Sequence, residues 1–329
     1  MPARSISTTT GPTTATTTSA SADPRQQSLD AGHAHGRQPL GRKSPGEALP
    51  ESTAHATHRV QPGTVAGATA AATEHGGRIV CQFSCGAASA VATKLAIAKY
   101  SGTHDVQIIN AFLKEEHEDN RRFADDCAQW FGREITTLRD EKYGASIIQV
   151  FKRKQYLKGP MGAPCSRELK RKVLDAWKQP GDIMVFGYTM EEADRLDDFR
   201  ERNPDRLVIA PLIDAGLSKD DCKAMIERAG IVIPLMYILG YDNANCIGCV
   251  KGGEGYWRAI REDFPDYFEA VCLLQDEIGE GSWFLRYRSG PKIGQRFPLR
   301  DPPPGPARRN EALPSCSFFC EMAESEYSA

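Results

Sequence analysis

Aromatic residues and cysteine are missing from the first quarter of this chain. Between Met1 and Gly76 there is no Phe, Trp, Tyr or Cys, and Thr, Ala, Ser, Pro and Gly dominate. Such a segment cannot bury enough apolar surface to offset the entropy of ordering its backbone, so residues 1–76 are expected to form a disordered low-complexity arm. The arm also lacks the apolar stretch of a secretory signal, and no run in the chain is long enough to span a bilayer. Those two absences predict a cytoplasmic protein with no membrane partner. Histidine is scarce where it could matter: His33, His35, His55, His58 and His75 lie in the arm, leaving only His104 and His117 beyond it. A zinc hydrolase built on several histidines is thereby disfavoured. The net charge of −2 offers no global attraction for nucleic acid or a membrane surface.

What remains, about 250 residues, is ample for one α/β core with an appended lobe. The stretch "VCQFSCGAASAVATKLA" (80–96) reads as a buried strand, a loop of very small side chains around Gly86, and a helix. Val91, Leu95 and Ala98 fall at helical spacing, with Thr93, Lys94 and Lys99 expected off that face. A strand, a small-residue loop and a helix N-terminus bring free backbone N–H groups together, and that geometry attracts phosphate or sulfate. No lysine follows the loop in the Walker position, which excludes a Walker P-loop.

Further along, "HDVQIINAFL" reads as a second strand, and "EDNRRFADDCAQWFG" as a helix with Phe123, Cys127, Trp130 and Phe131 on one face. "REITTL" reads as a third strand and "CSRELKRKVLDAW" as a basic helix. "DIMVFG" and "LVIAPLI" read as strands, and "SKDDCKAMIERAG" as a helix capped by Ser218, Asp221 and Gly230. Alternation at this spacing predicts an α/β fold: a mostly parallel, Rossmann-like sheet with helices on both faces, followed by a loop-rich, cysteine-bearing C-terminal part. Ligands of such sheets sit at the carboxyl ends of the strands, where the Ser84 loop and Gly187 fall.

The pattern Ser84-Cys85-Gly86-Ala87-Ala88-Ser89 resembles the S-G-G-x-D-S loop of ATP-pyrophosphatases. With Ala90-Val91 it resembles more closely the S-x-G-x-x-x-A-V loop of phosphoadenosine and adenosine phosphosulfate reductases. "NAFLKEEHEDNRRFADDCAQWFGREITTL" is similar to that family's second unit. Cys165 with "RELKRKV" resembles its Cys…Arg-Lys-Val element, and Gly187, Glu191 or Glu192, and Arg195 resemble its Gly-x-x-x-x-Glu segment. On these residues, residues 77–251 resemble a phosphoadenosine phosphosulfate reductase-like protein of the adenine nucleotide α-hydrolase fold, a kind frequent in phages and mobile elements. Three departures stand out. Ala88 replaces the loop's acidic residue, Thr189 replaces a basic one, and no Glu-Cys-Gly-x-His occurs near the C-terminus.

The resemblance implies domains at 77–250 (nucleotide-binding) and 251–329 (helical segment and cysteine tail). It also implies an ATP or adenylyl sulfate ligand on Ser84, Cys85, Gly86, Ala87, Ser89 and Gly187, with Mg2+ as a companion ion. "NANCIGCVKGG" places Cys246 and Cys249 two residues apart, a spacing at which two thiolates grip one ion or cluster and which redox dithiols also use. With Cys165, separated from Cys246 by eighty intervening residues, this resembles the thiolate set of a 4Fe-4S cluster in adenosine phosphosulfate reductases. Pro164 stands where an adjacent cysteine would be, so Cys316 or Cys320 of "SCSFFCEM" is expected to complete the set; zinc is the alternative occupant. The tail cysteine left free is then the candidate catalytic thiol. Cys127, Cys222 and Cys272 read as small buried hydrophobes, and "VKGGEGYWRAI" as a packing turn. The basic residues from Lys152 to Lys172 read either as a solvated helix face or as an anion funnel toward nucleotide or polynucleotide phosphates.

These features predict an enzyme of adenine-nucleotide-dependent sulfur chemistry. It would be either an oxidoreductase acting on an adenylyl sulfate or a transferase that cleaves ATP at the α-phosphate for sulfur transfer. A thiol reductant or sulfur donor, and a nucleic-acid acceptor, are the partners to expect. The alternative is a non-catalytic nucleotide- or redox-sensing module of a phage or defence complex.

Overall fold

A computed structural model describes residues 77–159, 162–244 and 246–313, all within the unit Val60–Ala329. The arm, Cys316 and Cys320 lie outside the described residues.

Five strands form one all-parallel sheet: β1 (Ile79–Gln82), β2 (Val106–Ala111), β3 (Thr136–Leu138), β4 (Ile183–Val185) and β5 (Val208–Ile209), in the order β3-β2-β1-β4-β5. The central strand pairs on both sides, Ile79 opposite Val106 and opposite Ile183. Alternation along it explains why it is buried on both faces. Ile79, Cys81 and Phe83 enter one apolar cluster with helices α1 (Ala87–Tyr100) and α2 (Asp119–Phe131). Val80 enters another, with Leu196 and Phe199 of the later helix at Ala193–Arg202. The expected α/β fold with helices on both faces is present.

Helix α1 departs from its expected face. Ala87, Ser89, Ala90, Val91, Ala92, Thr93 and Ala96 are buried, whereas Leu95 is half-buried and Ala98 exposed. The helix is covered on nearly every side, so small residues, not an amphipathic stripe, mark its contacts. Thr93 is tolerated inside because its hydroxyl donates to the Ser89 carbonyl (2.8 Å).

After β3 the chain forms α3 (Ile147–Lys154), then a π-helical run, Ser166–Arg171, continuing as α4 (Lys172–Trp177). The expected basic helix is thus wound partly as a π-helix, a form that often marks functional sites. α5 (Ala193–Arg202) follows β4. "LVIAPLI" is not one strand: pairing ends at Ile209, and Pro211, which has no N–H for a ladder, opens the short α6 (Pro211–Asp214). α7 (Lys219–Arg228) has the expected capping box of Ser218 and Asp221, and α8 is Leu235–Ile238. A second apolar core joins Tyr143, Ile147 and Phe151 to Trp257 and Phe268 of α9 (Glu254–Asp263) and α10 (Pro265–Ile278). The antiparallel pair β6 (Leu285–Arg286) and β7 (Arg296–Phe297) adds Leu285 and Phe297 to it. Cys127, Cys222 and Cys272 are buried among apolar neighbours, as expected. No helix among the described residues is long and apolar enough to cross a membrane.

Candidate functional site

The sheet order reverses between β1 and β4, so the loops leaving these strands diverge and open a crevice at their carboxyl ends. A cavity of about 510 Å³ occupies it, a size typical of small-ligand sites. Its wall includes Ser84, Gly86, Ala88 and Ser89 on one side and Gly187 to Thr189 on the other.

The first loop is held by Ser89. Its buried hydroxyl donates to the Gly86 carbonyl (2.9 Å) and accepts both the Ser84 N–H and the Ser84 hydroxyl (3.1 Å each). These two serines therefore shape the loop. The Ala87 N–H donates to the Tyr237 hydroxyl (3.3 Å), whose phenol burial pushes up to about 12. Ala88 and Ser89 follow in the first helical turn, where backbone N–H groups have no intrahelical acceptor. Gly86 caps the helix without a side-chain bond. A fourteen-residue helix whose N-cap has no side chain, and whose Ala88 and Ser89 N–H groups open toward a cavity, suits an anion.

Cys85 lies at the loop apex with φ +56°, a left-handed conformation costing a non-glycine residue about 1–2 kcal/mol. Its side chain is buried, and its sulfur accepts from Asn110 Nδ2 (3.6 Å), which also donates to the Phe83 carbonyl (2.8 Å). Burial, with Glu116 nearby, pushes the Cys85 thiol well above the usual range, so it is a neutral packing group and not a thiolate.

Gly187 is required by close approach. A Cβ there would stand 3.0 Å from Ser89 Cα and 3.1 Å from Ser89 N, so the β4 exit and the α1 N-terminus touch through backbone. Thr189 and Glu192 then form a capping box for the short turn Met190–Glu192. Two lysines face the cavity from elsewhere. Lys219 pairs with Asp242 (2.8 Å), and the nearly buried Lys170 lies 3.8 Å from Glu116. Gln82 adds a buried Nε2 with no hydrogen-bond partner. Sequence reading did not single out Asn110, Lys219, Tyr237 or Asp242. Each is brought in by the fold from a segment distant from the loop, and only Lys170, within the basic stretch, carried a signal.

The cysteine loop adjoins this cavity. Ala244 lines it, and two residues on, Cys246 pairs with Glu116 in an antiparallel bridge, backed by the Ile247 N–H to Glu115 carbonyl bond (2.8 Å). The Tyr256 hydroxyl closes the turn, accepting from the Cys249 N–H (3.1 Å) and donating to the Cys246 carbonyl (3.3 Å). Gly248, with φ +65°, admits the Tyr267 ring where any Cβ would collide with it at 2.2 Å. Tyr267 is half-buried, its hydroxyl is buried without a partner, and it lies within electrostatic reach of Cys246 and Cys165. Cys165 itself precedes the π-helical run and is half-buried. The structure thus brings Cys246 and Cys249 onto one turn, with Cys165 near the same tyrosine. Among the described residues no three His, Cys, Asp or Glu side chains are arranged to hold a metal ion. "VKGGEGYWRAI" is a packing turn beside this loop, with the Tyr256 N–H donating to Glu311 (3.0 Å). The irregular segment that supplies Glu311 then runs on to Ala312 and Leu313, which line the cavity.

Much of the basic stretch is ion-paired, though several cations share one carboxylate. Buried Glu168 takes Lys172 (2.8 Å), Lys154 and Arg167 (3.3 Å each), while Lys152 pairs with Glu277 (3.0 Å). Burial raises the Glu168 carboxyl, but Lys172 and Lys154 outweigh it and hold the group below the usual range. The stretch therefore keeps a net positive charge while gathering on Glu168, and Lys170 is the member that reaches the cavity.

Fold and site define an α/β protein with a doubly wound parallel sheet and a ligand-sized cavity at its switch point. No protein-family model matches the chain, and no curated protein matches it.

Proposed function

We propose that this chain is an enzyme of the phosphoadenosine phosphosulfate reductase-like kind, binding an adenine nucleotide in the switch-point cavity and carrying out sulfur chemistry there. The observation that carries the reading is the meeting of three features in one cavity. These are the α1 N-terminus with its side-chain-free cap Gly86, the nearly buried Lys170, and the chain at Ala312–Leu313 leading to the tail cysteines. Cys316 follows Leu313 by three residues, a reach of about 10 Å at full extension.

In this reading the Ala88 and Ser89 N–H groups and Lys170 bind the phosphate or sulfate and stabilise charge that develops on the leaving group. Cys316 or Cys320 supplies the attacking sulfur. With an adenylyl sulfate, the thiolate sulfur bonds to the sulfate sulfur, the bond to the nucleotide oxygen breaks, and the nucleotide leaves with that electron pair. An external thiol then reduces the S-sulfo cysteine to free sulfite, ending as a disulfide. The absence of Glu-Cys-Gly-x-His favours a second reaction, cleavage of ATP at the α-phosphate to activate a target for sulfur transfer.

Cys165, Cys246 and Cys249 with one tail cysteine are the set proposed for a 4Fe-4S cluster, or for zinc. The assignment rests on their soft donors alone; because the three described thiols are not arranged around one point, they would have to draw together to hold the group. If bound, such a centre would be held by Cys165 and the Cys246–Cys249 turn with one tail cysteine, and would supply one-electron chemistry as a cluster or a structural tie as zinc. Incubating the full chain with ATP, and separately with phosphoadenylyl sulfate plus a thiol reductant, tests the proposal. Sulfite and adenosine bisphosphate identify the reductase, and pyrophosphate and AMP from ATP identify the transferase. Nucleotide binding without any product identifies a sensing module and refutes the enzyme.

A further inference from the structure

The chain carries a net charge of −2, yet one surface gathers cations that lack acidic partners. Arg121 and Arg139 both stack on Phe112, their guanidinium carbons 3.8 and 4.0 Å from the ring centroid. Two planar guanidinium groups cannot approach one face of a ring that closely without overlapping, so Phe112 is held between them. The ring is fixed in turn, because the Phe112 N–H donates to the Leu138 carbonyl (2.9 Å) and extends the β2–β3 pairing by one residue. Both arginines are exposed, and among the described residues neither has a carboxylate partner. Ala111, the residue before Phe112, lines the cavity, and the Arg121 charge is felt at Cys85 of the α1 loop.

The cationic surface continues from this pair. The Lys114 N–H donates to the Ala145 carbonyl (2.9 Å), which sets Lys114 beside the segment after β3. There Lys142 and Arg153 lie over the Tyr143 ring at 5.2 and 5.4 Å, and Arg153 donates to the Lys142 carbonyl (2.8 Å). None of these three has a carboxylate partner among the described residues, in contrast to the neighbouring cations gathered on Glu168. An arginine stacked on a ring keeps its planar N–H edge pointed outward, the geometry that grips phosphate with two parallel bonds. A row of such groups matches a row of anions better than a single one.

We propose that Arg121 and Arg139, clamped on Phe112 and continued by Lys114, Lys142 and Arg153, bind the phosphodiester backbone of a nucleic-acid strand along the edge of the cavity. The inference does not depend on what the cavity itself holds. A phosphate on a mononucleotide bound in the cavity shares the same chemistry, so the test separates the two sources.

The test measures binding of the full chain to a fluorescein-labelled single-stranded oligonucleotide of about 15 nucleotides by fluorescence anisotropy, between about 50 and 200 mM salt. ATP protection against thermal unfolding is followed in parallel. The Arg121→Gln/Arg139→Gln variant should weaken oligonucleotide binding about tenfold and lower the slope of log K against log salt by about 1.4, two phosphate contacts' worth for a single strand. Its melting temperature and ATP response should match the parent's. Arg200→Gln, paired with Asp197 on α5 and toward the β4–β5 end of the sheet, should bind like the parent. Parent-like affinity and slope in the double variant would overturn the proposal, as would a parent that does not bind the strand, or an equal loss in Arg200→Gln. If the double variant loses ATP protection while keeping the strand, the clamp serves a mononucleotide phosphate and the nucleic-acid assignment is wrong.

Discussion

Replacing Gly187 by alanine tests whether β4 and the α1 N-terminus meet as described. The new Cβ would stand 3.0 Å from Ser89 Cα, 3.1 Å from Ser89 N and 3.4 Å from the Ala88 carbonyl carbon. Gly187 does not have a positive φ, so the substitution acts through contact and not through backbone strain. The atoms it meets are backbone, at the start of a helix buried on nearly every side, and cannot swing away as a side-chain tip would. Overpacking of this kind costs about 1–3 kcal/mol. At about 2–4 °C per kcal/mol for a domain of this size, the melting temperature should fall by about 2–12 °C. The displaced groups are also those proposed to hold phosphate, so ATP protection should shrink. A ligand at about 100 times its Kd adds about 2.7 kcal/mol to the parent, and most of that should be missing in the variant. The assay is thermal unfolding followed by circular dichroism, with and without ATP. Gly281→Ala is the control: its Cβ would meet nothing within 4 Å, and its effect should stay within about 0.5 kcal/mol. A Gly187→Ala protein with the parent's melting temperature and ATP response would refute the reasoning.

Three other perturbations read different parts of the account. Tyr237→Phe removes the acceptor of the Ala87 N–H and should destabilise the protein by about 1–3 kcal/mol in urea unfolding; no loss would mean that water replaces the phenol. Asp119 is held below the usual carboxylate range by its hydrogen bonds with Arg122, and it also accepts the Leu235 N–H (2.7 Å) that starts α8. Its contribution is therefore complete above the unfolded value of about 3.9 and is lost as pH falls through the depressed folded value. The melting temperatures of parent and Asp119→Asn should accordingly converge toward about pH 2, and a gap independent of pH would contradict this. Cys246→Ser and Cys249→Ser should abolish iron and acid-labile sulfide after anaerobic purification, and retention of both at the parent level would remove these thiols from the proposed cluster.

The sheet was legible because its strands are short apolar runs separated by helical spacing, and alternation in Ile79 to Phe83 anticipates two buried faces. The loop before α1 was legible as a strand–helix junction because its run of small side chains breaks the apolar strand and precedes helical spacing. Other parts were hidden by tertiary context. The burial of Thr93 follows from coverage of α1 on almost every side, which periodicity cannot show. Ser84 and Ser89, expected among the ligand contacts, hydrogen-bond each other, because a loop this tight needs its own hydroxyls to satisfy its backbone. The charge of the Lys152–Lys172 stretch was visible, but its compensation was not, since Glu168 reads as one acid among many bases until folding buries it. The clamp on Phe112 escaped notice because Arg121 and Arg139 come from different elements and meet only across a ring.

Photoaffinity labelling with 8-azido-ATP, mapped by peptide mass spectrometry, tests the central claim most directly. The account predicts saturable adducts, competed by excess ATP, in peptides that line the cavity: residues 82–89, 187–192 and 237–244. Adducts confined to other peptides, or labelling that excess ATP leaves unchanged, would contradict it.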